Sequence, residues 1–310
     1  MKKVLIAGGA GFLGSYLTEI MLERGYELTI VDDLSSGLEK NLSEISNKIK
    51  FVRSDIAEFK TEEKFDIIVN LASRASRVEW ETFPVEVALT NSLGNDNLLR
   101  LALKGRSLYI YASSSEVYGN PEVIPTPETY IGSVSTIGSR SPYDEGKRFG
   151  EALVKSYQKE YGLRNIIIRF FNTYGPRMRG GDFYGRVVDR FVQQAIRGEP
   201  ITVYGDGKQT RSFTYVKDSV TALMMIILKG KEGEVYNVGN DKEISVLDLA
   251  HEVKRVCKSG SEIQFKTIPE DEPMRRAADI TKITKLGFTH SFSLEEGIKN
   301  MANFSMRDFS

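Results

Sequence analysis

Along the first third of the chain, short apolar runs alternate with stretches whose apolar residues recur every three or four positions. "KVLIA" (3–7) is continuous and rich in β-branched residues, which predicts a buried strand. "GFLGSYLTEIMLERG" (11–25) has helical spacing and stops at a glycine. "ELTIVD" (27–32), "IKFVRSD" (49–55), "FDIIVNLA" (65–72) and "SLYIYASSS" (107–115) read as further strands, and a proline opens one long helix over 84–103. Strands alternating with helices predict βαβ units, hence an α/β fold with a parallel, doubly wound sheet.

The pattern then changes. Residues 119–142, "GNPEVIPTPETYIGSVSTIGSRSP", are rich in Pro, Gly, Ser and Thr, and a loop of that length inside a compact domain is functional or disordered. Beyond it the spacing predicts a helix from about 142, a strand over 165–171, a helix over 186–198 and a strand over 201–205. A helix over 245–257 starts with Ser-x-x-Asp, and one over 293–304 opens on a capping box, Ser293 to Glu296. The division this predicts is a large nucleotide-binding domain over 1–171, to which 213–240 returns, and a smaller α/β substrate-binding domain over 172–310.

Composition narrows the class without naming a reaction. Lysine plus arginine and aspartate plus glutamate number 42 each, so no net field points to nucleic acid or an anionic membrane. The longest apolar run, "ALMMIIL" (222–228), is far short of the roughly 20 residues that span a bilayer. "MKKVLIAGG" runs straight into a glycine loop and reads as a strand rather than a signal peptide. Cys257 is the sole cysteine, which excludes an internal disulfide and suits a reducing cytoplasm. His251 and His290 lie far from each other and from acidic clusters, so no metal site is expected.

The strongest motif follows the first strand. Gly8, Gly11 and Gly14 form Gly-x-x-Gly-x-x-Gly at a strand-to-helix turn, where glycines allow a tight turn and bring amides and a helix N-terminus to a pyrophosphate. Asp32 ends the second strand, where a carboxylate accepts hydrogen bonds from ribose hydroxyls and repels the extra phosphate of NADP. Together they predict a Rossmann-type sheet binding NAD. Asp55, after the third strand, either reads the adenine or caps a strand end.

Tyr143-x-x-x-Lys147 carries the candidate chemistry. Tyrosine is a poor base at neutral pH, its reference pKa being about 10. A lysine four residues on shares its helical face, and its charge, with that of an oxidised nicotinamide, favours the phenolate. The pair, the glycine loop and the serine-rich strand end at 113–115 together resemble the extended short-chain dehydrogenase/reductase family, whose members modify nucleotide sugars. The resemblance covers essentially the whole chain. It implies that Tyr143 is the base, that Lys147 lowers its pKa and holds the nicotinamide ribose, and that Ser114 shares the substrate hydroxyl. It also adds Phe12, Leu13, Ser36, Gly37, Ile56, Leu71 and Ala72 to the cofactor cleft.

Within that family, "SSSEVYG" (113–119), "YDEGKR" (143–148), "FNTYGPRM" (171–178) and "ITVYGDGKQTRSFTYV" (201–216) are most similar to the branch that decarboxylates UDP-glucuronate to UDP-xylose through a 4-keto sugar. Glu116 stands where simple epimerases carry threonine. The 4,6-dehydratases carry a glutamate there too, but preceded by aspartate, where this chain has Ser115. "EPMRRAAD" (272–279) brings Arg276 to the position of the branch's Arg-Lys-Pro-Asp arginine, a cation suited to a sugar carboxylate, but has Ala277 and Ala278 for the lysine and proline. Asn172, Arg177, Val187, Tyr204, Gln209 and Arg211 fall on positions that bind the UDP part of the substrate. The resemblance further implies a homodimer formed through helices at 84–103 and 143–161. The alternatives are a UDP-glucose or UDP-glucuronate 4-epimerase and, in a different class, a non-catalytic NAD-binding sensor; such sensors lose Tyr or Lys, and both are intact here.

Overall fold

The computed structural model describes residues 1–179, 186–267 and 274–308. Its central sheet is built from β1 (Lys3–Ala7), β2 (Glu27–Asp32), β3 (Lys50–Arg53), β4 (Ile67–Asn70), β5 (Leu108–Ser114) and β6 (Asn165–Phe170). A later strand, Val235–Val238, adds at the far edge and completes the order β11-β6-β5-β4-β1-β2-β3, numbering that strand β11. All neighbouring pairs in it run parallel.

Alternation along the strands explains the layers. Val4, Ile6, Ile30, Ile110 and Ile168 point to one face, where α1 (Phe12–Glu23) and α7 (Val216–Lys229) cover them. Leu5, Ala7, Val31, Tyr109 and Ile167 point to the other, against α4 (Asn95–Gly105) and α5 (Ser141–Tyr161). Buried on both faces, these strands are near-continuous apolar runs, as parallel sheets require.

The helix expected over 84–103 is not uniform. It comprises α3 (Pro84–Leu89), a π turn (Thr90–Gly94) and α4. Thr90, Asn91 and Ser92 all return side-chain hydrogen bonds to carbonyls four residues back, which loosens the turn. Before it lies α2 (Arg77–Thr82), which the periodicity does not predict; a capping box between Ser76 and Glu79 sets it.

The remaining elements form the wall facing the sheet's C-terminal edge: β7 (Thr173–Tyr174), α6 (Val187–Arg197), β8 (Ile201–Tyr204), β9 (Thr210–Ser212), β10 (Thr214–Tyr215), β12 (Glu243–Ser245), α8 (Val246–Cys257), β13 (Ile263–Lys266), β14 (Arg275–Arg276), α9 (Thr281–Thr284) and α10 (Leu294–Asp308). Ser245 accepts a hydrogen bond from the Asp248 amide, and Ser293 and Glu296 form the reciprocal capping box that their spacing predicts. Of "EPMRRAAD", Glu272 and Pro273 lie outside the described residues, as does Gly185 just before the helix expected at 186.

Candidate active site

Two cavities open at the C-terminal ends of the central strands, where ligands of doubly wound sheets sit. The first is lined by the glycine loop and the ends of β2, β3 and β4. Gly8 has φ +77°, and a Cβ on it would lie 2.7 Å from the Ala72 amide nitrogen. At Gly14 a Cβ would sit 2.1 Å from the Gly8 carbonyl oxygen. Only glycine lets the loop fold this tightly and keep its amides open to a ligand. Phe12 and Leu13 begin α1 beside it.

Asp32 is buried at the rim. Its carboxylate accepts from the Ala10 and Leu34 amides at 2.9 Å each, and burial outweighs these bonds and raises its pKa. A Cβ on Gly37 would come within 2.8 Å of it, so a glycine at 37 keeps one side of the carboxylate clear. Gly8, Gly11, Asp32, Ser36, Gly37, Asp55, Ile56, Leu71 and Ala72 all line this cleft, together with Ser35, Ser73, Arg74 and Thr90, which the sequence did not single out. Asp55 also accepts from the Ala57 amide at 2.7 Å, in the turn that follows β3. Ser36 donates to Glu79 of the α2 capping box, joining the cleft to the wall of the second cavity. An extended slot with a glycine cradle at one end and a buried carboxylate at the rim fits a dinucleotide.

The second cavity has a volume of about 550 Å³. Tyr143 and Lys147 project from the first turns of α5, one helical turn apart. Proline at 142 starts the helix, and the 21-residue length keeps both side chains on the buried face. Burial pushes the Tyr143 phenol up to about 12, against the pull of the Arg186 charge and a hydrogen bond with Ser114. Trp80 packs against its ring with centroids 5.0 Å apart. Burial brings Lys147 down to about 7, and the Glu151 carboxylate opposes the drop. Lys147 donates to the Ala112 carbonyl at 2.8 Å and lies 5.9 Å from the centre of the Tyr143 ring.

Beyond Tyr143 lies a cluster of charge. Glu116 follows Ser114 and Ser115 at the end of β5 and is clasped by two guanidiniums, those of Arg140 and Arg276; Arg276 Nη2 donates to its Oε2 at 3.0 Å. Burial alone would raise Glu116, but the charges of Arg276 and Arg140 outweigh it and hold the carboxyl at about 2. Arg276 arrives on β14, which pairs with β9 so that Arg276 stands beside Arg211. Asp144, just behind, is pushed up to about 7 by burial and then by the Glu116 charge.

Ser114, Ser115, Glu116, Tyr143, Asn172, Val187, Tyr204, Gln209, Arg211 and Arg276 line this one cavity although they come from all along the chain. Arg177 is not among the lining residues. It adopts φ +68°, pairs with Glu19 of α1 at 2.6 Å and lies over the Tyr16 ring, so its charge is spent joining the wall to the sheet. The sequence reading missed Arg140, Trp80, Arg186 and Arg190. Arg140 carried a signal, three residues before Tyr143 on the helix about to form; the other three are brought in only by packing.

Ala277 and Ala278, the departures from the Arg-Lys-Pro-Asp pattern, are fully buried away from the cavity. The Ala277 carbonyl accepts from the Thr126 amide at 2.9 Å, and Ala278 packs with Val117, Tyr118 and Phe171. The departure changes packing under the long loop and leaves Arg276 in the cavity wall.

Known proteins resemble this chain in sequence and fold. A model of the NAD dependent epimerase/dehydratase family matches residues 4–239. UDP-glucuronic acid decarboxylase 1 of Xenopus tropicalis is 40% identical over 310 residues, 99% of this chain and 73% of that one. UDP-glucuronic acid decarboxylase 1 of Arabidopsis thaliana is 42% identical over 304 residues, 97% of this chain and 69% of that one. Among solved structures, UDP-glucose 4-epimerase of Thermotoga maritima with UDP-glucose superposes with a TM-score of 0.92 at 29% identity, covering 99% of this chain and 100% of that one. UDP-glucuronic acid 4-epimerase of Bacillus cereus with NAD gives 0.88 at 25%, covering 99% and 100%. With sheet, glycine cradle and tyrosine–lysine helix in place, and likeness running along nearly the whole chain, this chain belongs to the NAD dependent epimerase/dehydratase family.

Proposed function

We propose that the protein converts UDP-glucuronate to UDP-xylose and CO2 with bound NAD. The observation that carries this reading is the pair of guanidiniums, Arg140 and Arg276, at the end of the cavity reached past Tyr143 and Ser114. Two guanidiniums around the single carboxylate of Glu116 leave one net positive charge, which a sugar carboxylate can meet and a neutral hexose cannot. The curated relatives at 40–42% identity act in their names on UDP-glucuronate, which agrees.

On this reading Gly8, Gly11 and Gly14 cradle the pyrophosphate, Asp32 accepts from the adenosine ribose and disfavours NADP, and Lys147 holds the second ribose. The cofactor supplies a hydride acceptor and, later, the same hydride. Tyr143 accepts the proton of the sugar's C4 hydroxyl, and Ser114 orients that hydroxyl. With C4 a ketone, the C5 carboxylate belongs to a β-keto acid and leaves as CO2, its electrons delocalised onto the ketone oxygen. Arg276 orients the carboxylate without neutralising it outright, because Glu116 shares its charge; a tighter grip would stabilise the ground state and slow the loss. Glu116, ionised, and Ser115 hold a water that returns a proton to C5 afterwards. Asn172, Val187, Tyr204, Gln209 and Arg211 take the UDP, residues 1–171 with 213–240 form the cofactor half, and 172–310 form the sugar-nucleotide half.

The protein works in the cytoplasm as a homodimer. Supporting the dimer, Val85, Leu89 and Leu93 stand exposed four residues apart along one face of the 84–105 helix, with Phe149 exposed on α5 nearby. An apolar stripe on adjacent helices suits a four-helix contact with a second copy.

The deciding experiment incubates the protein with UDP-glucuronate, UDP-glucose and UDP-galactose and identifies products by mass. UDP-xylose and CO2 from the first, with no useful interconversion of the other two, is the expected result. Rapid interconversion of UDP-glucose and UDP-galactose without CO2 from UDP-glucuronate would replace the reading with a 4-epimerase.

A further inference from the structure

Behind the arginine pair lies a carboxylate that the proposed chemistry does not use. Asp144 sits in the first turn of α5, is 5% exposed and is not among the residues lining the cavity. Its Oδ2 is 3.5 Å from Arg140 Nε, and its Oδ1 is buried with no hydrogen-bond partner. Arg140 also holds Glu116. Two carboxylates therefore share one guanidinium, and Glu116 has the better of it because Arg276 binds it too.

We infer that Asp144 is a positioning residue for substrate choice: it holds a proton beneath Arg140 and so leaves the cluster of Arg140, Arg276 and Glu116 with one net positive charge, matched to a sugar carboxylate. This rests on the proposed decarboxylase reading. Ionising Asp144 would strand Oδ1 in the interior without a donor and set a second negative charge beside Glu116, both unfavourable. Protonation removes the added charge. The cluster of Arg140, Arg276 and Glu116 then carries a single positive charge; with Asp144 ionised it carries none. Burial and the neighbouring Glu116 raise the Asp144 carboxyl to about 7, in keeping with a proton retained at neutral pH.

The groups facing Asp144 are few. Glu116 comes from the 3₁₀ turn after β5, Arg276 from β14, and Arg140 and Tyr143 from its own end of α5. Helices α2 and α3 bring the uncharged Trp80 and Val87 against Tyr143, while Arg77 and Glu81 of α2 and Arg186, just before α6, line the same cavity, and the Arg186 charge acts on Tyr143. Lys147, one turn further along, also titrates near neutral pH, and burial raises Asp189 of α6 to about 6.

The sign follows from the charges. As pH rises through about 7, Asp144 loses its proton, the site loses its net positive charge, and preference for a carboxylate-bearing ligand falls. The preference is read as the affinity ratio of UDP-glucuronate to UDP-glucose, which cancels the shared uridine and diphosphate. Measurement is by calorimetry on the NAD-loaded full-length Tyr143→Phe protein, silenced for turnover, from pH 5.5 to 8.5. The ratio should fall roughly tenfold over that range, the size of one charge felt over about 10 Å at an effective dielectric near 20. Adding Asp144→Asn should hold it at its acid-side value throughout; Asp144→Ser serves if the asparagine variant does not fold. A flat ratio in the Tyr143→Phe protein, while the unaltered protein still decarboxylates UDP-glucuronate, would overturn the role of Asp144 alone. A slope that persists without Asp144 would overturn it in favour of Lys147. Preference for UDP-glucose at every pH would overturn it together with the reading beneath it.

Discussion

Replacing Arg169 with methionine should lower the melting temperature by roughly 6–15 °C, and the reason lies in what one side chain holds behind the catalytic strand. Arg169 stands opposite Ser113 in the β5–β6 register. Its Nε and Nη2 donate to the two oxygens of Glu151 at 2.8 and 2.6 Å, and its Nη1 donates to the Tyr118 hydroxyl and the Glu128 carbonyl, both at 2.9 Å. Ser113 donates to Glu151 at 2.6 Å. Side-chain exposure is 12% for the arginine and 13% for the glutamate, so this pair is largely, not wholly, withdrawn from solvent. Methionine fills much of the same volume but leaves the Glu151 charge inside with Ser113 as its remaining donor. Breaking a buried pair from one side costs about 3–5 kcal/mol. At roughly 2–3 °C for each kcal/mol in a chain of this size, the stated drop follows. Removing both partners, as Arg169→Met with Glu151→Met, leaves no stranded charge and should recover most of the loss. Thermal unfolding followed by circular dichroism at pH 7 gives all three numbers. An Arg169→Met protein melting within about 2 °C of the parent, or a double variant worse than the sum of the singles, would refute the argument.

Tyr143→Phe keeps the ring against Trp80 and should leave UDP-sugar binding intact while lowering turnover about 10²-fold or more; near-normal turnover would remove Tyr143 as the base. Gly14→Ala forces a Cβ to within 2.1 Å of the Gly8 carbonyl, and calorimetry should find NAD binding lost; retained micromolar binding would mean the loop relaxes at little cost. Arg276→Ala should abolish CO2 release from UDP-glucuronate, measured by trapping, with the NAD dissociation constant unchanged. Continued CO2 release would shift the carboxylate contact to Arg140.

Local physics made much of the architecture readable in advance. A β-branched run buried on both faces, a glycine at a position of positive φ, a serine and glutamate in a capping box each express interactions over a few residues, and those elements form where the spacing predicts. The glycine cradle, Asp32 and the Tyr143–Lys147 helix were legible for the same reason: their partners are near in sequence, or the geometry is set by one turn.

Other features had no local signal. Glu116 and Arg276 are 160 residues apart, and long-range pairing of β14 with β9 and of Ala278 with Thr126 brings them together. Arg177, expected on the substrate, is drawn instead to Glu19, because α1 packs across the sheet end where that loop returns. The burial that raises Asp144, with the Glu116 charge beside it, and that lowers Lys147 comes from helices and strands stacked over α5, which no window along the chain contains. Short-range sterics and hydrogen bonding, written into consecutive residues, decide where strands, turns and caps form. Long-range burial and charge pairing depend on which surfaces meet, so the ionisation states and the shape of the cavity belong to the tertiary structure alone.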